Sequence, residues 1–262
     1  MKKMYAVIFI LMLLVFGCKT GERGIAGFLG HHGKDGLSGH DGRSDVELLK
    51  ANYFKFKRMC HANYESFKLQ KKDFDKEIPF DNIIFDNEFK TDSQRNSIYA
   101  SLDYNVEDIE ILKNLIARLL EFIDEDKKQN IKALLFSLRD IDQYVSDVIT
   151  ASDVVINDFN LANIKKGNNM DIVSSLNAMF SELSYRRTSV IKDIRNIFSR
   201  VKKFMEVASA DRISSINGNI RTIGSNTGII YKKIHVGDES LLGLRNDIIK
   251  ELEELKRTLW LK

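Results

Sequence analysis

From Asp45 to the end of the chain, apolar residues recur at intervals of three and four, and glycine becomes rare. This spacing places the apolar side chains on one face of an α-helix and the polar ones on the other. One such stripe consists of Ile109, Leu112, Ile116, Leu119 and Ile123. The pattern predicts an all-α body over residues 45–262.

Capping residues and breaks in the pattern divide this body into about six to seven helices. They are predicted over about residues 46–69, 91–102, 106–123, 126–165, 169–210, 213–235 and 238–260. The segment 213–235 contains Gly218, Gly224 and Gly228, which favour a weak or broken helix. Two of the helices approach about 40 residues, or roughly 60 Å, so an elongated bundle of antiparallel helices is expected.

The last predicted helix carries a nearly heptad apolar seam. Its members are Leu241, Leu244, Ile248, Leu252, Leu255 and Leu259. We expect this seam to pack either on the body of the same chain or on a second copy, which would make a homodimer.

An irregular connection is predicted over residues 74–89, around the single proline, Pro79. It repeats Phe-Asp-Asn at residues 80–82 and 85–87. Such aromatic residues pin a connecting segment to the core more often than they form a binding loop, and both interpretations stay open.

The N-terminus has a different pattern. Lys2 and Lys3 precede an apolar run over residues 4–16 that is too short to cross a bilayer. The run ends at Gly17 and Cys18, an arrangement that resembles a bacterial lipobox. We therefore expect a signal peptide at residues 1–17, lipidation of Cys18 and anchoring to the outer membrane at the bacterial cell surface.

Residues 18–44 form a predicted glycine-rich tether, with glycine at every third position from Gly21 to Gly42. This is the spacing of collagen, but no proline occupies any of the positions between the glycines. A flexible, extended tether is therefore favoured, and a triple helix is the alternative. The tether also contains His31, His32 and His40, which lack a scaffold that would fix a metal site.

Composition agrees with a folded helical protein, since 44% of the 262 residues are apolar and 29% are charged. The formal charge of +3 includes Lys2 and Lys3, so removal of the signal peptide leaves almost none and favours no nucleic-acid partner. Once Cys18 is lipidated, Cys60 has no cysteine with which to form an internal disulfide. We expect Cys60 to be a buried apolar residue.

One stretch of the 169–210 helix is strongly basic, with seven cations against Asp193 alone. The cations are Arg186, Arg187, Lys192, Arg195, Arg200, Lys202 and Lys203. They form either an ordinary solvated helix face or a surface that attracts an acidic protein or an anionic glycan.

No motif for catalysis or cofactor binding occurs in the chain. It lacks a phosphate-binding G-x-x-x-x-G-K-S/T loop, a zinc-binding H-E-x-x-H, a C-x-x-C pair and a G-x-S-x-G serine elbow. The two histidines outside the tether, His61 and His235, are far apart in sequence. We expect a protein that is not an enzyme and that needs no cofactor and no metal.

The segment SIYASLDYNVEDIEILKNL, at residues 97–115, resembles a signature of the complement regulator-acquiring surface proteins of Lyme and relapsing-fever spirochaetes. The match is carried by Ile98-Tyr99, by the run 101–104, and by Ile109 and Leu112. The resemblance implies an all-helical outer-surface lipoprotein that binds host serum proteins, either complement regulators or terminal complement components. It also implies that a C-terminal helix can pair two copies.

Two functional hypotheses follow. The first is a serum-protein binding module that serves immune evasion. The second is an adhesive or structural surface lipoprotein, trimeric through its collagen-like tether. A trimer that depends on residues 19–44 would favour the second.

Overall fold

The computed structural model describes residues 44–122, 124–166, 169–206 and 210–260. Helices joined by short turns make up most of this part of the chain, which contains no β-strand. The predicted all-α bundle is confirmed. The predicted signal peptide, Cys18 and the glycine-rich tether lie outside the described residues.

The described residues contain ten α-helices rather than six to seven. They are α1 (Asp45–Cys60), α2 (Tyr64–Glu77), α3 (Asp92–Ser101), α4 (Val106–Glu121), α5 (Glu125–Val155), α6 (Asp158–Lys166), α7 (Met170–Met205), α8 (Ala210–Gly224), α9 (Ile229–His235) and α10 (Leu241–Trp260). One 3-10 turn, Ile83–Phe85, lies between α2 and α3.

Two predicted helix starts are confirmed by their caps. The Thr91 hydroxyl accepts a hydrogen bond from the Gln94 backbone N–H at 3.2 Å and opens α3. The Asn105 side chain accepts one from the Asp108 N–H at 3.0 Å and opens α4. Both caps satisfy N–H groups that have no partner within the first helical turn.

The higher helix count arises because three predicted helices are broken. The 46–69 helix is interrupted at 61–63, and the 126–165 helix is interrupted at 156–157. At the second break, the Asn157 side chain accepts from the Asn160 N–H at 3.0 Å and restarts the chain as α6. Asparagine competes for backbone partners in this way, which periodicity alone does not reveal.

Gly224 and Gly228 account for the third break. A side chain at Gly228 would lie 2.4 Å from the Thr222 carbonyl oxygen, so the turn between α8 and α9 has no room for one. At Gly224 the obstacle is the backbone of α5, since an added Cβ would lie 2.7 Å from the carbonyl carbon of Ala133. Gly224 therefore allows α8 to approach α5 closely.

Two long helices carry the core. Helix α5 packs against α3, α8 and α10, and α7 packs against α1, α4, α8 and α10. Five residues of the predicted C-terminal seam are buried against the same chain, and Leu259 is half-buried. They are Leu241, Leu244, Ile248, Leu252 and Leu255. Of the two packing partners expected for the seam, the body of the same chain is the one observed.

The aromatic residues of the connection between α2 and α3 are core residues. Phe80, Phe85 and Phe89 are each at most 1% exposed, and the Phe89 ring lies 5.5 Å from that of Phe136 on α5. Of the two interpretations of this segment, the one in which its aromatic residues pin it to the core is therefore observed. Cys60 is also buried, as predicted, and burial raises the pKa of its thiol to about 11.

No helix in the described ranges combines the length and the apolar character needed to cross a bilayer.

Candidate functional site on helix α7

The seven basic residues predicted as one surface all lie on α7, but the fold divides them into two groups. One side of α7 is apolar and packs into the core through residues such as Leu183, Val190 and Ile194. A cation that falls on this side is drawn into the bundle. A cation on the opposite side remains in solvent.

Arg187 belongs to the buried group, so the expectation that it is exposed is wrong. It is 3% exposed, because it lies one turn from both Leu183 and Val190 on the apolar side. Its guanidinium donates to Asp103 Oδ1 at 2.6 Å and to the Ala100 carbonyl at 3.0 Å.

Arg195, two turns further along, reaches the same region. Its Nε donates to Asp108 Oδ2 at 2.6 Å, and its Nη2 lies 3.3 Å from Asp103 Oδ2. Burial raises the pKa of Asp108, while the hydrogen bond from Arg195 opposes that rise. Asp103 is therefore held between two arginines of α7, and both arginines have structural roles.

These arginines secure an unusual turn between α3 and α4. Asp103 and Tyr104 have φ of 55° and 54°, the left-handed region that costs L-residues roughly 1–2 kcal/mol each. Besides the arginines, the Asn63 side chain donates to the Asp103 carbonyl at 3.0 Å. The Tyr104 ring packs 5.1 Å from that of Tyr64. The segment that carries the family resemblance thus has a structural role in this chain.

A second, half-buried acid is influenced by the charge of Arg187. Burial raises the pKa of Asp142 on α5, and a hydrogen bond with Ser97 and the positive charge of Arg187 oppose that rise. Arg187 therefore carries a charge that balances two acids inside the bundle. Its Nε has no hydrogen-bond partner among the described residues.

Two more of the predicted cations form ion pairs on the flanks of α7. Arg186 donates through Nε to Glu182 at 2.6 Å and through Nη1 to the Asp238 carbonyl at 2.8 Å. Lys202 lies 3.0 Å from Glu107 at the start of α4. These pairs reduce the net positive charge of the predicted surface.

The other three cations, Lys192, Arg200 and Lys203, are exposed and have no carboxylate partner among the described residues. Lys192 and Lys203 are separated by three helical turns and share one face, with Arg200 on its flank. The exposed residues along this face form what we call the basic stripe: Tyr185, Thr188, Lys192, Asn196, Ser199, Arg200 and Lys203. The stripe is about 27 Å long and contains no carboxylate.

The stripe includes one exposed aromatic residue, and the acid beside it is paired with another helix. Tyr185 is 60% exposed and was not among the predicted site residues. Its position could have been found from the sequence, because it lies seven residues before Lys192 and outside the apolar stripe. Asp193, the single acid of the basic stretch, pairs with Lys233 of α9 at 2.6 Å.

No group of three or more His, Cys, Asp or Glu side chains that could hold a metal ion occurs in the described part of the chain. His61 contacts the Lys57 carbonyl at 3.0 Å, whereas His235 contacts the Tyr144 hydroxyl at 3.0 Å, so the two histidines belong to separate environments.

No protein-family model matches this chain, nor does any curated protein or any solved structure. Fold and surface therefore define the protein only as an all-α bundle with a stripe of exposed basic and uncharged residues on α7.

Proposed function

We propose that this protein is an outer-surface lipoprotein that binds a host serum protein, either a complement regulator or a terminal complement component. Such binding would protect the bacterium from killing by complement. The lipobox at Cys18 supports surface anchoring, and the segment 97–115 supports the family of ligands.

The basic stripe is the observation that carries the binding part of the proposal. Three exposed cations that pair with no carboxylate among the described residues create a local positive potential, which attracts an acidic patch on a partner and speeds association. Tyr185 adds an exposed aromatic ring at one end of the stripe, and tyrosine is enriched in protein interfaces.

The test compares two triple variants displayed on a serum-sensitive bacterium. The first replaces Lys192, Arg200 and Lys203 by Glu, and the control makes the same change at Lys55, Arg58 and Lys250, which are exposed on other helices. We expect the first variant to lose binding of purified complement proteins and survival in serum, and the control to keep both. Thermal unfolding of both variants should stay close to that of the unaltered protein, because all six positions are exposed.

Salt dependence provides a second measurement. Raising the salt from 50 mM to roughly 300 mM should weaken binding, since the Debye length falls to several ångströms. Binding that ignores salt, or that is lost equally in the control, would move the interface away from the stripe. If the displayed protein binds no complement component and does not raise the survival of the bacterium in serum, the adhesive or structural hypothesis becomes the better one.

A further inference from the structure

A second cationic region lies away from α7, in an open cleft of about 500 Å³. The cleft is formed by the C-terminal half of α2, the connection after it and the start of α3. Its charged lining includes Lys72, Lys76 and Arg95, and its apolar wall includes Pro79 and Phe80.

The two lysines stand on consecutive turns of α2. Residues four apart on a helix have Cβ atoms about 5–6 Å from each other, so the two ammonium groups can reach one small anion. Both side chains are exposed, and neither pairs with a carboxylate among the described residues. Their charge is therefore available to a ligand.

Arg95 faces them from α3 and is short of hydrogen-bond partners. Its Nη2 donates to the Lys90 carbonyl at 3.0 Å, while its buried Nε has no partner among the described residues. A guanidinium has five N–H donors in a fixed fork, and leaving such donors without acceptors is costly in a half-buried side chain. Arg95 thus adds a third cation to the lining of the cleft, and one of its donors is held by the Lys90 carbonyl.

The two acids in the lining offset only part of the charge of these three cations. Asp75 is already engaged, since Oδ1 accepts from the Tyr99 hydroxyl at 2.9 Å and Oδ2 from Lys71 Nζ at 2.7 Å. Asp81 is the other acid that lines the cleft, and it is exposed at the rim. The cleft is therefore net positive.

We propose that this cleft binds a tetrahedral oxyanion, sulfate or phosphate. Three separate cations can each meet a different oxygen of such a group, whereas a carboxylate offers two oxygens in one plane. The oxyanion can come from solution or from a sulfated sugar, since both present the same chemistry.

The test is a calorimetric titration of the purified full chain with sodium sulfate, sodium phosphate and sodium acetate at constant ionic strength. We expect saturable binding of sulfate and phosphate that weakens at least tenfold in Lys72→Gln/Lys76→Gln. The matched control, Lys55→Gln/Lys68→Gln, removes the same charge from exposed positions outside the cleft and should bind within twofold of the unaltered protein. Arg95→Gln should also weaken binding tenfold, and Arg95→Lys should weaken it less.

Thermal unfolding is measured for each variant. If Arg95→Gln is unfolded, the proposal is judged by the binding measured for Lys72→Gln/Lys76→Gln. No saturable binding, equal binding of acetate, or an equal loss in the control would overturn the proposal.

Glucosamine 6-sulfate identifies the source of the oxyanion. If it binds more tightly than sulfate, the cleft recognises a sulfated sugar, and if its affinity is equal, the cleft recognises the free ion. Because the cleft variants leave the basic stripe intact, loss of oxyanion binding and loss of complement binding are measured independently.

Discussion

Arg187 and Asp103 form an ion pair across 84 positions of the sequence, with Arg187 Nη1 lying 2.6 Å from Asp103 Oδ1. The arginine is buried on the longest helix, and the aspartate sits in a left-handed turn between two shorter ones. The pair therefore fixes the direction in which α4 leaves α3. A cation that the sequence assigns to a binding surface holds the fold instead.

Replacing Arg187 by Ala should lower the free energy of unfolding by about 3 kcal/mol, because Asp103 would lose its buried hydrogen-bonded partner and Asp142 would lose a nearby positive charge. Urea denaturation followed by circular dichroism measures the change. Arg200→Ala is the control, since Arg200 is exposed on the same helix, and we expect a change within about 0.5 kcal/mol. Equal stability of the two variants would contradict a structural role for Arg187.

Two glycines of α8 should respond in opposite ways to the same substitution. Gly224→Ala places a Cβ against the α5 backbone and should destabilise the protein by about 1–3 kcal/mol. An added Cβ at Gly218 meets nothing within 4 Å, so Gly218→Ala should stabilise the helix by about 0.5–1 kcal/mol. Thermal denaturation compares the two variants, and similar effects would mean that α8 does not approach α5 as closely as described.

Asn87 has φ of 68° in an exposed turn, where a β-branched side chain fits poorly. Asn87→Val should therefore cost about 1–2 kcal/mol, whereas Asn87→Gly should be neutral or slightly stabilising. Asn196→Val is the control, since Asn and Val have similar helix propensities at an exposed helical position. The free energies of unfolding are compared by urea denaturation. If Asn196→Val loses more stability than Asn87→Val, the left-handed backbone at residue 87 is contradicted.

His235 should make stability fall in mild acid. Burial lowers the pKa of His235 from its ordinary 6.5, against the opposing charge of Asp140. The unfolded chain therefore takes up a proton at higher pH than the folded chain, and stability decreases as the pH falls through about 6.5 towards the folded pKa. The contact between the Tyr144 hydroxyl and His235 Nδ1, at 3.0 Å, suits the neutral ring.

The measurement is a set of urea denaturation curves between pH 7.5 and pH 5.5 for the unaltered protein and for His235→Gln. Glu251, Asp108 and Asp142 have raised pKa values and act in the opposite direction, so the difference between the two proteins isolates the histidine. If both proteins show the same pH dependence, His235 does not contribute.

Much of the fold could be predicted from local pattern. The caps Thr91 and Asn105 and the buried seam of α10 follow from side-chain chemistry and from a period that acts within a few turns. The break between α5 and α6 was missed, because Asn157 stops one helix and restarts another inside an uninterrupted apolar register.

For the candidate site, too, the sequence determines some features and the tertiary structure determines others. The sequence by itself determined that α7 is amphipathic and that one part of it is basic. Which cations remain available was decided by tertiary structure, because Asp103 and Asp108 reach Arg187 and Arg195 only when α4 folds against α7. The same is true of the cleft, where Arg95 faces Lys72 and Lys76 only after α3 packs beside α2. Periodicity acts over one helical turn, whereas ion pairs and clefts depend on contacts between residues distant in sequence.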